Sequence, residues 1–196
     1  MSQPLPGWSA QQLMATEMHR NSRLLIPSDA RRAGVLILLY PGIEQELSFP
    51  LIRRPTYEGA HSGQIAFPGG KIEPEDQGIV HTALRETQEE IGVQVQATQV
   101  IGRLSDLYIP VSRFVVSPVV AYATKPLYYQ PEPAEVAEVL DVSAQAFLNP
   151  GNRAVRPITA RGVSLDAPAY LIDSEIIWGA TAMMLAEFFA VLQEVV

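Results

Sequence analysis

Residues 63–93 read GQIAFPGGKIEPEDQGIVHTALRETQEEIGV, and this stretch decides the fold. Phe67-Pro68-Gly69-Gly70 closes an extended segment with two consecutive glycines, a composition that lets the backbone turn sharply or approach a ligand closely. Asp76 then stands where a side chain can cap a helix, Val80, Leu84, Thr87 and Ile91 recur as a core stripe at helical spacing, and Gly92 stops the run. The pattern predicts a helix over residues 78–91, entered from an extended segment through a glycine turn.

On that helix Glu86 and Glu90 are four residues apart and share one ridge, and Glu89, three from Glu86, is placed on the same side. Like charges at this spacing repel by roughly a few tenths of a kcal/mol, and Arg85 with Glu89 is an ion pair in the less favourable order. Helix stability therefore does not account for the cluster. Hard oxygen ligands gathered on a rigid helix are what Mg²⁺ or Mn²⁺ requires when bound with waters and substrate phosphates. A solvated acidic face is the ordinary meaning of two glutamates on a helix. A Gly-Gly turn, a capped helix, an arginine and three carboxylates at fixed spacing together favour the cation.

Outward from this segment, residues 34–40 (GVLILLY) form a continuous apolar run and residues 46–53 a mixed one, joined across Pro41-Gly42. They predict two strands in a hairpin, with Pro50 confining the second to an edge or a bulge. Further strands are predicted at 100–107, 114–122, 135–141 and 170–172. A short helix is predicted at 9–20, capped by Ser9, and a long one from about 175 to 195. Residues 126–134 (PLYYQPEPA) read as a long loop. Helices on both sides of a mixed sheet would bury these patterns, an α/β (α+β) arrangement. The predicted organisation is an N-terminal helical extension, residues 1–30, packed on a single domain, residues 31–196.

The chain has 196 residues, 47% apolar and 18% charged, enough for one domain with a real core. Its net charge of −7 offers no general attraction for nucleic acid or an anionic membrane, so a polyanionic substrate needs local arginines or bound cations. The absence of cysteine excludes disulfides, thiolate metal sites and cysteine catalysis, and suits a cytoplasmic setting. The N-terminus has no charged start followed by an apolar run, as a signal peptide would. Residues 176–192 come closest to a membrane span before Glu187 interrupts them.

The run Arg85-Glu86-Thr87-Gln88-Glu89-Glu90-Ile91-Gly92-Val93 resembles the C-terminal half of the Nudix box. Thr87 replaces the usual apolar residue, and 14 residues rather than 13 separate Gly70 from Arg85. Counted from Gly70, the first acid of the box is Asp76; counted back from Arg85, the position holds Gln77. The expansion, with GQIAFPGG before it, is similar to the coenzyme A pyrophosphatase subgroup. Leu51-Ile52-Arg53-Arg54-Pro55 matches a further run of that subgroup at Leu51 and Arg54, and Trp178-Gly179-Ala180-Thr181-Ala182 is similar to its terminal helix.

The resemblance implies a Nudix-type α/β/α sandwich that hydrolyses the diphosphate of coenzyme A, free, oxidised or acylated, to 3′,5′-ADP and 4′-phosphopantetheine. It implies Glu86 and Glu90 as ligands of Mg²⁺ or Mn²⁺, Glu89 as a third ligand or the general base, and Arg85 as the residue that orients them. Arg54, Arg53 and Lys71 are candidates for the phosphates, and Gly69 and Gly70 shape the turn beside them. Glu135 and Glu138 could supply a base from outside the box. Tyr108, Tyr128 and Tyr129 could stack on adenine, while His61 and His81 lack partners at metal-ligand spacing. ADP-ribose, dinucleoside polyphosphates and nucleoside triphosphates are the rival substrates. A Nudix-like module that binds a nucleotide without turnover is the rival of another class.

Overall fold

The apolar run of residues 34–40 becomes the centre of the strand β1 (Arg31–Pro41), and its side chains divide alternately between two cores. Val35, Ile37 and Leu39 point into one, and Leu36, Leu38 and Tyr40 into the other. A strand covered on both faces has no polar side to present, which is why the run is continuous rather than alternating. The structure is a computed structural model that describes residues 4–22, 26–42, 45–56, 61–160 and 162–195.

Before β1 come α1 (Trp8–Gln11), a 3-10 turn (Gln12–Met14) and α2 (Glu17–Ser22). After it the chain runs through β2 (Leu47–Arg53), β3 (Ile65–Ala66), β4 (Gly69–Lys71) and α3 (Ile79–Ile91). There follow β5 (Val100–Arg103), β6 (Leu107–Ile109), β7 (Phe114–Tyr122), β8 (Glu138–Ser143) and α4 (Ala144–Leu148). The chain ends in β9 (Arg153–Ala160), β10 (Val163–Ile172), β11 (Glu175–Trp178) and α5 (Gly179–Val195).

α3 covers one face of the main sheet, where Ala83 and Ile91 are buried against Leu36, Leu38 and Val119 and Val80 and Leu84 are partly buried. α5 covers the other, buried without interruption from Ala182 to Phe189, as an all-round apolar helix must be. Its Phe188 and Phe189 join Phe49, Phe147 and Tyr170 in an aromatic cluster with centroids 5.1–6.4 Å apart. The result is the expected mixed sheet between helices. Among the described residues no helix is long and apolar enough to cross a membrane.

β1 runs parallel to β7 along one edge, from Arg31↔Phe114 to Leu39↔Tyr122. Its other edge is shared: β4 pairs at Ala33–Val35 and β2 at Tyr40–Pro41, both antiparallel. The sheet therefore forks along β1, with β4 and α3 on one limb and β2, β3 and β8 on the other. Two prolines fit where neighbours change. Pro50 lies between the part of β2 paired with β1 and the part paired with β3, and Pro118 between the parts of β7 paired with β6 and with β5. Thus β2 is not an edge strand, as Pro50 suggested; the proline occupies a gap in one ladder.

Other expectations are corrected. The predicted strand 100–107 is two, β5 and β6, with a break between them. The predicted strand 135–141 starts later, at Glu138. A second, three-stranded sheet, β11-β10-β9, replaces the short strand at 170–172, and residues 175–178 belong to it rather than to the last helix. The predicted helix 9–20 is broken at Ala15, whose backbone is extended (φ −78°, ψ 132°). Ser9 lies inside α1, whose N-cap is Gly7.

Candidate active site

The fork of β1 is where the box folds around its own carboxylates. Gly34 lets α3 press onto β1, because a Cβ there would stand 2.6 Å from the Ile79 carbonyl oxygen. Gly69, at φ +150°, could carry no side chain without striking Val35 and the Gly34 carbonyl. At Gly70 a Cβ would collide with the Glu86 carboxylate, so that carboxylate lies directly over the glycine backbone. Gly70 thus leaves the space that the Glu86 carboxylate occupies, and Gly69 lets β4 lie close against β1.

Glu90 is 2% exposed, and its Oε2 accepts a hydrogen bond of 2.7 Å from the Gly69 amide. Arg54 Nη2 stands 3.9 Å from its other oxygen and donates to the Gly69 carbonyl at 3.3 Å. Burial pushes the Glu90 carboxyl up to about 7, with Arg54 and the Gly69 amide opposing and Glu86 and Glu135 adding to the rise. Burial also raises the Glu86 carboxyl, against the pull of Arg85. In both, loss of hydration outweighs the neighbouring guanidinium, and the other carboxylates of the cluster add to the rise.

The third carboxylate of the cluster is Glu135, not Glu89. Oxygens of Glu86, Glu90 and Glu135 all lie within 4.8 Å of one another, a donor set suited to a hard divalent cation. Glu89 and Glu90 are adjacent in sequence and so leave the helix roughly 100° apart. Glu89, with a side chain 55% exposed, turns to Arg85 instead, 2.7 Å away.

Glu135 arrives from the segment that follows β7. The Gln130 amide donates to the Ile91 carbonyl and the Glu132 amide to the Glu90 carbonyl, so this segment satisfies the open C-terminal end of α3. Gly92, in the left-handed conformation at φ +72°, ends the helix against Gln130, where a Cβ would clash. Farther on, the Ala137 amide donates to the Arg53 carbonyl and leads into β8. The predicted loop at 126–134 has no regular structure but is fastened to the helix that carries the other two acids.

Asp76 does not cap α3; the N-cap is Gly78 and no side chain closes it. Instead Asp76 accepts from Arg85 Nε and Nη2, both at 3.0 Å, from the Thr82 hydroxyl and from the Glu73 amide, and pairs with His81. Gln77 is exposed. Counting from Gly70 therefore finds the acid that engages the box arginine. Arg85 also lies 3.1 Å from Glu86 and donates to the Lys71 carbonyl.

The remaining candidates separate. Arg54 and Lys71 line a cleft of about 1560 Å³ that contains Glu86, Glu89, Glu90 and Glu135. Arg53 borders the same cleft, but its guanidinium is engaged by Glu175 at 2.6 Å and Glu138 at 3.1 Å. Tyr108, Tyr128 and Tyr129 do not line it; Tyr129 donates to Asp141 and Tyr128 points to solvent. His61 and His81 pair with Gln64 and Asp76 and stand outside the carboxylate group.

An α/β/α sandwich with clustered carboxylates over a diglycine turn defines a class of phosphate-handling hydrolases. The comparisons with known proteins agree: the NUDIX domain family matches residues 30–160, and the chain belongs to the Nudix hydrolase family. The uncharacterized Nudix hydrolase NudL of Photorhabdus laumondii is 34% identical over 135 residues, 69% of this chain and 72% of its own length. The uncharacterized NudL of Yersinia pestis is 31% identical over 155 residues, 79% and 76% of the two chains. Among solved structures, a MutT/nudix family protein from Enterococcus faecalis superposes with a TM-score of 0.59 at 16% identity, covering 94% of this chain and 73% of its own. The Nudix hydrolase RenU from M. smegmatis gives 0.56 at 16% identity, covering 85% and 88%. Hydrolases of this family generally use divalent cations.

Proposed function

We propose that this enzyme hydrolyses the diphosphate bond of coenzyme A to 3′,5′-ADP and 4′-phosphopantetheine, with Mg²⁺ or Mn²⁺ held by Glu86, Glu90 and Glu135. The observation that carries the hydrolytic reading is the convergence of those three carboxylates beside Arg54, in one cleft, with the Glu86 carboxylate packed over the Gly70 backbone. Coenzyme A is supported by the run GQIAFPGG, by the extra residue before Arg85 and by the partial match at residues 51–55.

A divalent cation seated there would neutralise the diphosphate oxygens and lower the pKa of a water. The chain supplies the rest. Arg54, already oriented by the Gly69 carbonyl, presents its guanidinium to the diphosphate, and Lys71 adds a point charge at the rim. Glu89 lines the cleft outside the cluster and takes the proton of the attacking water. Arg85 touches Asp76, Glu86 and Glu89 and fixes where both glutamates stand. Water adds to one phosphorus, the bridging P–O bond breaks, and the two phosphate products leave with the proton shared between solvent and Glu89.

The test is hydrolysis of coenzyme A, ADP-ribose, a dinucleoside polyphosphate and a nucleoside triphosphate with Mg²⁺ or Mn²⁺, products being identified by mass. Coenzyme A should be preferred, and Glu86→Gln and Glu135→Gln should each reduce kcat by at least about 100-fold with the fold retained. Preference for ADP-ribose would remove coenzyme A and keep the hydrolase. Unchanged turnover in either variant would remove its ligand assignment.

A further inference from the structure

Three carboxylates within 4.8 Å of one another repel, so each must be held in place by the structure around it. Glu86 and Glu90 are held by α3. Glu135 belongs to no helix or strand; it stands between β7 and β8, in a stretch that contains Pro126, Pro131 and Pro133. Each proline removes a backbone donor, so the stretch cannot join a ladder along its length. Its position rests on separate attachments instead, among them the backbone bonds to Ile91, Glu90 and Arg53 described above.

The side chains add a further attachment at Tyr129. Among the described residues, the side-chain hydrogen bonds that leave residues 126–134 for another element are those of Tyr129. Its hydroxyl donates to Asp141 on β8 and stands 3.4 Å from the Tyr40 hydroxyl on β1. Along β8, Leu140 and Val142 face the core of α5, so Val139 and Asp141 face the opposite one, where Tyr40 is buried and the Tyr129 ring packs. Burial, and after it the bond to Asp141, hold the Tyr129 phenol above its usual range, so the hydroxyl keeps its proton and remains a donor.

We infer that Tyr129 and Asp141 are positioning residues for the hydrolysis: their bond holds the segment so that Glu135 faces Glu86 and Glu90 before a cation is bound. The inference rests on Glu135 being a metal ligand. Neither residue lines the cleft, so their effect reaches the chemistry through Glu135. Little slack lies between the bond and the acid. Pro131 and Pro133 fix their own backbone angles, and the Glu135 and Val136 amides close a turn onto the Glu132 carbonyl. A displacement of Tyr129 is therefore transmitted along the segment.

The experiment measures the Kd for Mn²⁺ by calorimetric titration of the substrate-free enzyme in wild type, Tyr129→Phe, Glu135→Gln and the double variant. Tyr129→Phe keeps the packed ring and removes the donor. It should weaken Mn²⁺ binding by about ten-fold. Glu135→Gln should weaken it as well, and the double variant should bind no more weakly than Glu135→Gln alone, because the two changes act through one group. Asp141→Ala, at an exposed position, removes the acceptor and should reproduce the loss seen in Tyr129→Phe. A role in stability alone would lower the melting temperature and leave the Mn²⁺ affinity unmoved. Wild-type affinity in Tyr129→Phe and Asp141→Ala, or an equal further loss when Tyr129→Phe is added to Glu135→Gln, would overturn the inference and leave Glu135 a ligand. Wild-type affinity in Glu135→Gln would remove the ligand assignment and the inference with it.

Discussion

Asp76 shows how much one carboxylate can organise. Its side chain is wholly shielded from solvent, and Arg85, foremost among its partners, holds its carboxyl well below the usual carboxylate range. A folded pKa below the unfolded one adds stability that is complete at neutral pH and is lost as pH falls below the ordinary value of 3.8. Asp76→Asn should therefore cost about 2–4 kcal/mol at pH 7. The gap to wild type should narrow by about 1.4 kcal/mol per pH unit in strong acid. Urea midpoints at pH 7 and pH 2.5 measure this, and an equal gap at both would remove the ion pair as its cause. At this scale the sequence makes Glu86 and Glu90 visible, because a helix repeats and their spacing matches the repeat. It sets Glu89 beside Glu86 and Glu90 as a third ligand or the base, whereas the side chain turns to Arg85 and stands outside the carboxylate group. Glu135 could be named only as a possible base, since what brings it to the cluster is the seating of residues 130–132 on the end of α3, a contact with no local signature.

Among elements, the β4 turn and α3 act as one piece. Gly70 has no need of a positive φ, so an added methyl group harms the contact rather than the backbone. Gly70→Ala should displace the Glu86 carboxylate, lowering kcat by about 100-fold and weakening Mn²⁺ binding while the melting temperature moves only a few degrees. Parallel activity and calorimetric titrations check this, and wild-type Mn²⁺ affinity would count against the cradle. β1 and α3 were legible because one has a turn-bounded apolar run and the other a helical stripe with a glycine stop. The sheet β9-β10-β11 was not. Its residues mix prolines and arginines with isolated apolar positions, and the run 175–178 continues into the apolar start of α5, so a strand there cannot be told from a helix by periodicity. Only pairing decides, as in Tyr170↔Ile177 and Leu171↔Ile176.

On the scale of the whole molecule, Glu187 ties the N-terminal extension to the sandwich. It is fully buried in α5 and accepts from the amides of Gly7 and Ser105, both at 3.1 Å, and from Gln11 Nε2 at 2.8 Å. In the sequence it was visible only as a break in an apolar stretch. Glu187→Ala leaves three donors without their acceptor and should cost about 2–4 kcal/mol. Hydrogen exchange should show faster opening of residues 7–22 than of α3, and uniform protection across both would contradict the tie.

The fork along β1 has a mechanical meaning. Two of the clustered acids ride on α3, and the third stands on a segment bonded at one end to the last turn of α3 and at the other to the Arg53 carbonyl of β2. A cation seated among the three oxygens would join α3 to the segment that leads into β8, fastening the two limbs of the fork across the cleft.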